Sequence, residues 1–154
     1  RYWEFAWRAA YAVTADRSLA DDAAQDAIQR AFGALDGFDE TRPFGPWLKR
    51  IAVNRAIDQL RRASRLTALE ESSDMLRTRA VDSASHVDER LPAVAAAVAS
   101  LGEAKRVVVV LRFWLDLPVD EIAGQLGLPV GTVASRLSRA LEELRRVLEG
   151  EHVV

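Results

Sequence analysis

The sequence contains no cysteine, and its only two histidines, His86 and His152, lie far apart in the chain. The lack of cysteine excludes disulfides, thiolate metal sites and cysteine nucleophiles. A zinc site would need unusual help from carboxylates, because two distant histidines do not form a ligand set. The sequence also lacks a glycine-rich phosphate loop and a nucleophile elbow. It therefore predicts a protein that is not an enzyme and that uses no cofactor and no metal.

Long apolar runs are absent too, since none approaches the roughly 18–20 residues that a membrane-spanning helix requires. The amino end, Arg1–Phe5, does not resemble a secretory signal peptide. We therefore expect a cytoplasmic protein with no membrane insertion. Aromatic residues make up only 7% of the chain, whereas hydrophobic residues make up 49%, so the core must consist mainly of Ala, Val, Leu and Ile. Alanine is the strongest helix former.

The net charge of −2, from 21 basic and 23 acidic residues, hides an uneven distribution along the chain. Residues 42–65 carry basic side chains with Asp58 as the single acid, whereas acids dominate residues 16–40. The first segment suits phosphate groups and the second suits a basic protein surface. Two ordinary solvated faces would explain the charges equally well.

Apolar residues at helical spacing predict three helices in the amino-terminal block, over Trp3–Val13, Leu19–Leu35 and Trp47–Ala63. Ser18 is placed to cap the second helix. Pro46 is placed to open the third, because the amide hydrogen that proline lacks is not needed there.

A polar segment, Ser64–Glu89, separates this block from a second one and is interpreted as a linker. The second block begins with predicted helices over Leu91–Leu101 and Glu103–Leu115. Four consecutive valines could form a buried strand, but no second strand candidate exists to pair with them. The predicted fold is all-α, with two small helical domains joined by a flexible linker, and the second domain contains a helix-turn-helix. The boundaries are 1–63 for the first domain, 64–89 for the linker and 90–154 for the second domain.

The stretch Leu117–Leu141 carries the helix-turn-helix pattern. Gly127 permits the left-handed backbone of the turn, and Val133 and Leu137 point into the core four residues apart. These assignments leave a polar and basic face at the front of the second helix, which is the surface that enters a major groove. That face consists of Thr132, Ser135, Arg136, Ser138 and Arg139. Similar patterns also occur in helical proteins that never touch DNA.

Several motifs resemble those of bacterial sigma factors of the extracytoplasmic-function (ECF) group. In the second block these are Asp120–Ala123, Pro129–Leu137 and the upstream Leu111–Trp114. In the first block, Asp22–Phe32 resembles the polymerase-binding helix of the family, and Phe44–Arg62 resembles its promoter-opening helix. The resemblance covers both blocks in the right order and leaves out only the linker.

The resemblance implies a sigma factor that binds core RNA polymerase and directs promoter recognition, DNA opening and transcription initiation. The first domain would bind the clamp of the polymerase and a −10-type element, partly as single-stranded DNA. The second domain would bind a −35-type element in duplex DNA. The resemblance further implies an anti-sigma protein as a partner.

Site residues follow from the same resemblance. The polymerase-binding surface would comprise Asp22, Gln25, Asp26 and Arg30, although these residues could also be helix-dipole acids on a solvated face. The loop that captures a flipped base would comprise Phe38, Asp39, Glu40, Thr41 and Arg42. The strand-opening helix would present Asn54, Arg55, Asp58, Arg61 and Arg62, since Asn and Arg suit base edges and phosphates.

Two positions depart from the family pattern in a way that bears on DNA binding. Val53 and Ala134 stand where basic residues are frequent, which predicts that the free chain binds promoter duplex weakly. All four tryptophans are predicted to pack in cores: Trp3, Trp7, Trp47 and Trp114. A stacking platform for a base is the alternative role of Trp47.

Two other classes of protein compete with this interpretation. A stand-alone helix-turn-helix regulator would bind a palindromic site as a dimer, but no dimer face is identifiable and the basic helix would have no role. A helical interaction protein without a DNA role explains the composition but not the two blocks of motifs.

Overall fold

The computed structural model describes residues 2–73 and 93–150, apart from the side chains of residues 65–73. The first three helices are α1 (Tyr2–Thr14), α2 (Arg17–Gly33) and α3 (Phe44–Ser73), with a short 3-10 helix at Leu35–Gly37. Each of these three helices packs against the other two.

Residues 93–150 of the second block contain four α-helices and one π-helical turn. They are α4 (Ala93–Ser100), α5 (Glu103–Val109), the π turn (Val110–Trp114), α6 (Val119–Leu126) and α7 (Val130–Gly150). Within the described ranges every regular element is helical, which confirms the all-α prediction. The four valines lie in α5 and the start of the π turn, so the helical interpretation of that run is correct. None of these helices is long and apolar enough to cross a membrane.

Alanine dominates the interface among α1, α2 and α3. Eight alanines there have no exposed surface: Ala6, Ala10, Ala20, Ala23, Ala24, Ala27, Ala52 and Ala56. Because a methyl group is the smallest side chain that still covers the backbone, helices packed through alanine approach closely. Larger residues such as Val13, Leu48 and Val53 complete this core.

Helix α2 is capped by Asp16 and not by Ser18 as predicted. Asp16 has an extended backbone, and its carboxylate accepts a hydrogen bond of 3.1 Å from the amide of Leu19. The helix begins at Arg17, which places Ser18 inside its first turn. The N-cap is the residue just before the first helical residue, so the serine lies two positions too late for that role.

Helix α3 begins at Phe44, with Pro46 in its first turn, and ends at Ser73, well beyond the predicted end at Ala63. The first part of the predicted linker therefore belongs to α3. Residues 64–73 include two leucines, two glutamates, one alanine and one arginine, which are all good helix formers, and extending an existing helix requires no new nucleus. Residues 74–89 of the predicted linker lie outside the described residues.

Helix α7 forms the centre of the second block, where it packs against α4, α5 and α6. Its buried side chains, Val133, Leu137, Ala140 and Leu144, face a core that includes Leu111 and Ile122. The two blocks also touch, because α1 contacts both α4 and α5.

Candidate nucleic-acid interface

The turn between α6 and α7 has the geometry that the helix-turn-helix pattern predicts. Gly127 adopts φ 67° and ψ 36°, and its amide donates a hydrogen bond to the carbonyl of Ala123. The amide of Leu128 donates to the same oxygen at 3.0 Å. Pro129 precedes α7, and its carbonyl accepts from Thr132 at 3.0 Å. These bonds fix the angle at which α7 leaves α6.

The front of α7 exposes the predicted polar and basic face. Ser135, Ser138 and Arg139 are exposed, and Thr132 and Arg136 are half-buried. Val133 and Leu137 are buried beneath them, as their spacing predicted. In the part of the chain that the structure describes, neither arginine of this face forms an ion pair. Both guanidinium groups therefore remain available to an external anion.

Helix α3 does not present its basic residues uniformly. Arg50, Arg61 and Arg62 are exposed, but the Arg55 side chain is only 19% exposed. Its guanidinium lies 3.5 Å from the Asp26 carboxylate on α2 and also binds Asp58 one turn further along α3. Arg55 thus contributes to the packing of α2 on α3.

Two other predicted α3 residues already have partners in the second block. The Asn54 carbonyl oxygen accepts a hydrogen bond of 2.9 Å from the Gln125 side chain on α6. Arg61 donates to the backbone oxygen of Gln125 at 3.3 Å. The predicted strand-opening residues therefore divide into a packed pair (Arg55 and Asp58), a pair that contacts α6 (Asn54 and Arg61) and the exposed Arg62.

The predicted base-capture loop is held by an aromatic cluster at one end and a hydrogen-bonded turn at the other. Phe38 lies 4.6 Å from Trp47 and 5.7 Å from Phe44, measured between ring centroids. Asp39 accepts hydrogen bonds from the Thr41 hydroxyl at 2.6 Å and the Thr41 amide at 3.0 Å.

The hydrogen bonds from Thr41 lower the pKa of the Asp39 carboxyl below its ordinary value. The guanidinium of Arg42, 3.8 Å from the carboxylate, acts in the same direction with a smaller effect. Glu40, Thr41 and Arg42 are all exposed, so the loop presents both charge signs to solvent around an ordered turn.

The predicted polymerase-binding residues lie together on α2. Asp22, Gln25 and Arg30 are exposed, and Asp26 is half-buried. Asp26 also lies 3.3 Å from Arg30, so it pairs with arginines on two helices. The structure therefore brings the four residues to one exposed surface, in which Asp26 is the most constrained member.

Three expectations about individual residues are wrong or only partly right. Val53 has no exposed surface, so a basic residue at that position would point into the core and could not contact phosphate. Trp3 and Trp114 are 43% and 37% exposed, and neither is a core residue. Trp7 does pack, as predicted, since it stacks on Tyr11, and its indole nitrogen donates to Asp21 at 2.7 Å.

Sequence patterns missed Arg106 and Gln125, which join the two blocks. Arg106 is only 7% exposed and donates to the carbonyls of Val13, Thr14 and Leu101 at 2.6, 3.0 and 2.8 Å. Burial lowers the pKa of its guanidinium. No local signal could have identified its role between the blocks, because two of its three partners are backbone atoms more than ninety positions away. Among the described residues, no group of acids or histidines could hold a metal ion.

Both blocks match families of known proteins. Residues 1–66 match sigma-70 region 2, and residues 91–144 match sigma-70 region 4. The ECF RNA polymerase sigma factor SigW of Bacillus subtilis is 31% identical over 96% of this chain and 84% of its own length. The RNA polymerase sigma-E factor of Streptomyces avermitilis is 34% identical over 92% of this chain and 78% of its own length. SigL of Mycobacterium tuberculosis, another ECF factor, is 32% identical over 93% of this chain and 82% of its own.

A solved structure has the same fold. The sigma factor RpoE from Bartonella quintana, in complex with the anti-sigma factor NepR, aligns with a TM-score of 0.58 at 22% identity. The alignment covers 96% of this chain and 92% of that one.

The two matched regions, in this order, are those of a sigma-70-type transcription initiation factor. More narrowly, the chain belongs to the ECF group of bacterial RNA polymerase sigma factors. Its function is therefore promoter recognition in transcription initiation, together with core RNA polymerase and promoter DNA.

Proposed function

We propose that the front of α7 binds the −35-type element of duplex promoter DNA. The observation that carries this assignment is the exposed polar face of α7 directly above the buried Val133 and Leu137. The front of α7 shows short polar side chains and two guanidinium groups that form no ion pair among the described residues, and such a surface fits the major groove in both shape and charge. The residues are Thr132, Ser135, Arg136, Ser138 and Arg139.

The first block would act on the −10-type element and on polymerase. The loop with Phe38, Asp39, Glu40, Thr41 and Arg42 would hold an extruded base, and Asn54, Arg61 and Arg62 on α3 would contact the opened strands. Arg55 and Asp58 would support this surface by packing α3 on α2. The surface with Asp22, Gln25, Asp26 and Arg30 would bind the polymerase clamp, because exposed carboxylates suit a basic protein surface.

The same proposal includes the two predicted domains, the cellular location, the lack of catalysis and the anti-sigma partner. Residues 1–63 and 90–154 would act as the two functional domains, with α3 continuing from the first of them into the predicted linker. The chain would act by binding alone, in the cytoplasm, with all chemistry left to the polymerase. An anti-sigma protein would be a further partner, as family membership implies.

The test is a transcription assay with core RNA polymerase, this chain and a pool of promoter fragments. Initiation that depends on the added chain is expected, and sequencing of the transcribed fragments identifies the two elements. A folded chain that neither binds core polymerase nor directs initiation would overturn the proposal. Tight binding of the chain alone to a palindromic duplex would instead support the stand-alone regulator.

A matched pair of variants tests the α7 assignment. Arg139 and Arg145 are both exposed arginines of α7, but Arg145 lies beyond the front of the helix and pairs with Glu149 at 3.1 Å. Arg139→Ala is expected to weaken holoenzyme binding to the −35-type element by about 1–3 kcal/mol if it reads a base, or to reduce the salt slope by about 1 if it contacts phosphate. Arg145→Ala should change neither quantity. Equal effects of the two variants would remove the evidence for a DNA-binding role of this face.

A further inference from the structure

A cluster of aromatic rings holds the two ends of the predicted base-capture loop (residues 38–42). Phe38 at the start of the loop and Phe44 just beyond its end meet edge to face, with ring centroids 5.7 Å apart. Both rings also contact Trp47 in α3, at 4.6 and 5.5 Å. On its other neighbour, Phe44 meets the ring of Tyr2 edge to face at 4.9 Å. Tyr2 thus brings α1 into a cluster whose other rings belong to the loop and to the start of α3.

The first turn of α1 contacts the first turn of α3 at a second point. A Cβ atom at Gly45 would lie 3.6 Å from Cζ of Phe5, so the Phe5 ring lies against the backbone of α3 next to Phe44. Tyr2 and Phe5 are three residues apart and therefore share one face of α1. Because α1 packs against both α2 and α3 through buried alanines, its first turn is a fixed support for the residues that follow the loop.

The Phe44 ring is not enclosed by tight packing. A cavity of about 20 Å³ adjoins Tyr2 and Phe44, and its other lining residues are apolar side chains of α2, the 3-10 helix and α3. Phe44 itself is half-buried, and Tyr2 is 53% exposed. A ring beside an empty space lacks contacts on that side, so its position depends more strongly on the neighbours that remain. Tyr2 is one of those neighbours.

The residues between Phe38 and Phe44 are held only by hydrogen bonds at the surface. Asp39 accepts two bonds from Thr41, and its carbonyl accepts a third from the amide of Arg42 at 3.0 Å. All three of these residues are exposed, so the conformation of the loop depends on how its two ends are fixed. A binding loop that is already ordered loses less conformational entropy when its ligand arrives. Movement of Phe44 would therefore weaken binding by the loop.

We propose that Tyr2 is a positioning residue for base capture, because its ring holds Phe44 and thereby fixes the far end of the loop relative to Phe38. This inference rests on the proposed function of the loop. Tyr2 acts through Phe44 and not through contact with the base. The Tyr2 hydroxyl makes no hydrogen bond to any described residue, so the effect belongs to the ring.

The first experiment measures the order of the loop in the free protein. Exchange of the Thr41 and Arg42 amides with water, followed by NMR, reports the two backbone hydrogen bonds to Asp39. Tyr2→Ala should accelerate this exchange several-fold, whereas Tyr2→Phe, which keeps the ring, should leave it unchanged. The control is Trp3→Ala, at a 43% exposed aromatic residue of the same turn that has no ring contact among the described residues. No acceleration in Tyr2→Ala, or equal acceleration in Trp3→Ala, would overturn the inference.

The same measurement tests whether Tyr2 acts through Phe44. Phe44→Leu alone should accelerate exchange of the two loop amides, and adding Tyr2→Ala to it should accelerate exchange no further. Residues that act in one chain of contacts show such non-additive effects. Additive acceleration in the double variant would show that Tyr2 reaches the loop by another route and would refute the proposed role of Phe44.

The second experiment measures base preference with saturating core polymerase and the pool of promoter fragments. Sequencing of the transcribed fragments gives the preference at each position of the two elements. Tyr2→Ala should weaken the preference at one position of the −10-type element several-fold and leave the −35-type preference unchanged, and Tyr2→Phe should restore the natural pattern. A merely structural defect would lower initiation without changing the pattern, or would weaken both elements together, and either result would contradict a positioning role.

Failure of this inference can be distinguished from failure of the proposed function. If the natural chain does not direct initiation with core polymerase, the proposed function fails, and the amide exchange alone decides whether Tyr2 holds the loop. If the natural chain initiates and Tyr2→Ala keeps the natural base preference, the proposed function stands and the role of Tyr2 is refuted.

Discussion

The guanidinium of Arg55 on α3 lies 3.5 Å from the carboxylate of Asp26 on α2, and this ion pair joins two residues that the sequence assigned to different partners. Asp26 was predicted to bind polymerase, and Arg55 was predicted to contact DNA. Because the pair bridges two helices, the surface proposed to bind polymerase and the surface proposed to open DNA share this contact.

The first prediction concerns this pair. Arg55→Ala should lower the free energy of unfolding by about 1–3 kcal/mol, because it leaves the half-buried Asp58 carboxylate without its hydrogen-bond donor and leaves Asp26 paired with Arg30 alone. Arg62→Ala, at an exposed position of the same helix, should change stability by less than about 0.5 kcal/mol but weaken DNA binding. Chemical denaturation monitored by circular dichroism measures both. Equal stability of the two variants would show that Arg55 is not a packing residue.

The second prediction concerns the turn of the helix-turn-helix. Gly127→Ala should destabilise the protein by about 1–2 kcal/mol, since a left-handed backbone is unfavourable for any residue with a Cβ. Space is not the cause, because a Cβ at this position would meet no atom within 4 Å. Gly124→Ala meets equally open space but lies within α6, so it should be neutral or stabilise by up to about 1 kcal/mol. The Gly127 variant should therefore unfold at a lower temperature than both the natural protein and the Gly124 variant.

The third prediction separates the observed cap of α2 from the predicted one. Asp16→Ala should cost about 1 kcal/mol, because the amide of Leu19 loses its acceptor. Ser18→Ala should cost little, since Ser18 lies inside the helix and alanine has a higher helix propensity. A larger loss of stability in the serine variant would contradict the observed cap.

The fourth prediction concerns the ionisation of Asp39. Its pKa lies below the ordinary value because the Thr41 hydroxyl and amide donate hydrogen bonds to the ionised form. A lowered folded-state pKa means that the stabilisation from these hydrogen bonds to the ionised carboxyl is present at neutral pH and is lost as the pH falls through that pKa.

Thr41→Val removes the hydroxyl and keeps the amide, so the Asp39 pKa should rise toward its ordinary value without reaching it. NMR titration of the carboxyl carbon measures the midpoint directly. Arg42→Ala should raise the pKa by less, since the effect of that cation is smaller. A midpoint that does not move in the valine variant would contradict the hydrogen-bonded turn.

The helix-turn-helix could be predicted in detail from the sequence because its determinants are local. Gly127 sets the turn, and Val133 and Leu137 set the buried face, all within a short stretch of chain. The outward face of α7 then follows by elimination. Family resemblance added the polymerase and promoter roles, which no local pattern contains.

Contacts between distant segments could not be predicted in this way. Arg106 lies next to a run of valines in the first turns of a helix. From the sequence alone it cannot be distinguished from an ordinary exposed charged residue. Its role depends on the position that the carbonyls of Val13 and Thr14 take in the folded protein. Val53 was misjudged for the same reason, since its burial depends on how α3 rotates against α1 and α2.

The alanines between α1, α2 and α3 decide how the first block responds to sequence change. In most cores, truncating a large side chain lowers the stability of the fold. At these positions the side chain is already a methyl group, so truncation has little left to remove. Adding methylene groups to a tightly packed core typically costs about 1–3 kcal/mol. For positions such as Ala23, Ala27 and Ala56, an alanine scan would therefore find nothing, whereas a scan with valine or leucine would outline the whole interface. Most substitutions of an alanine enlarge its side chain, so few substitutions at these positions would leave the fold of this domain intact.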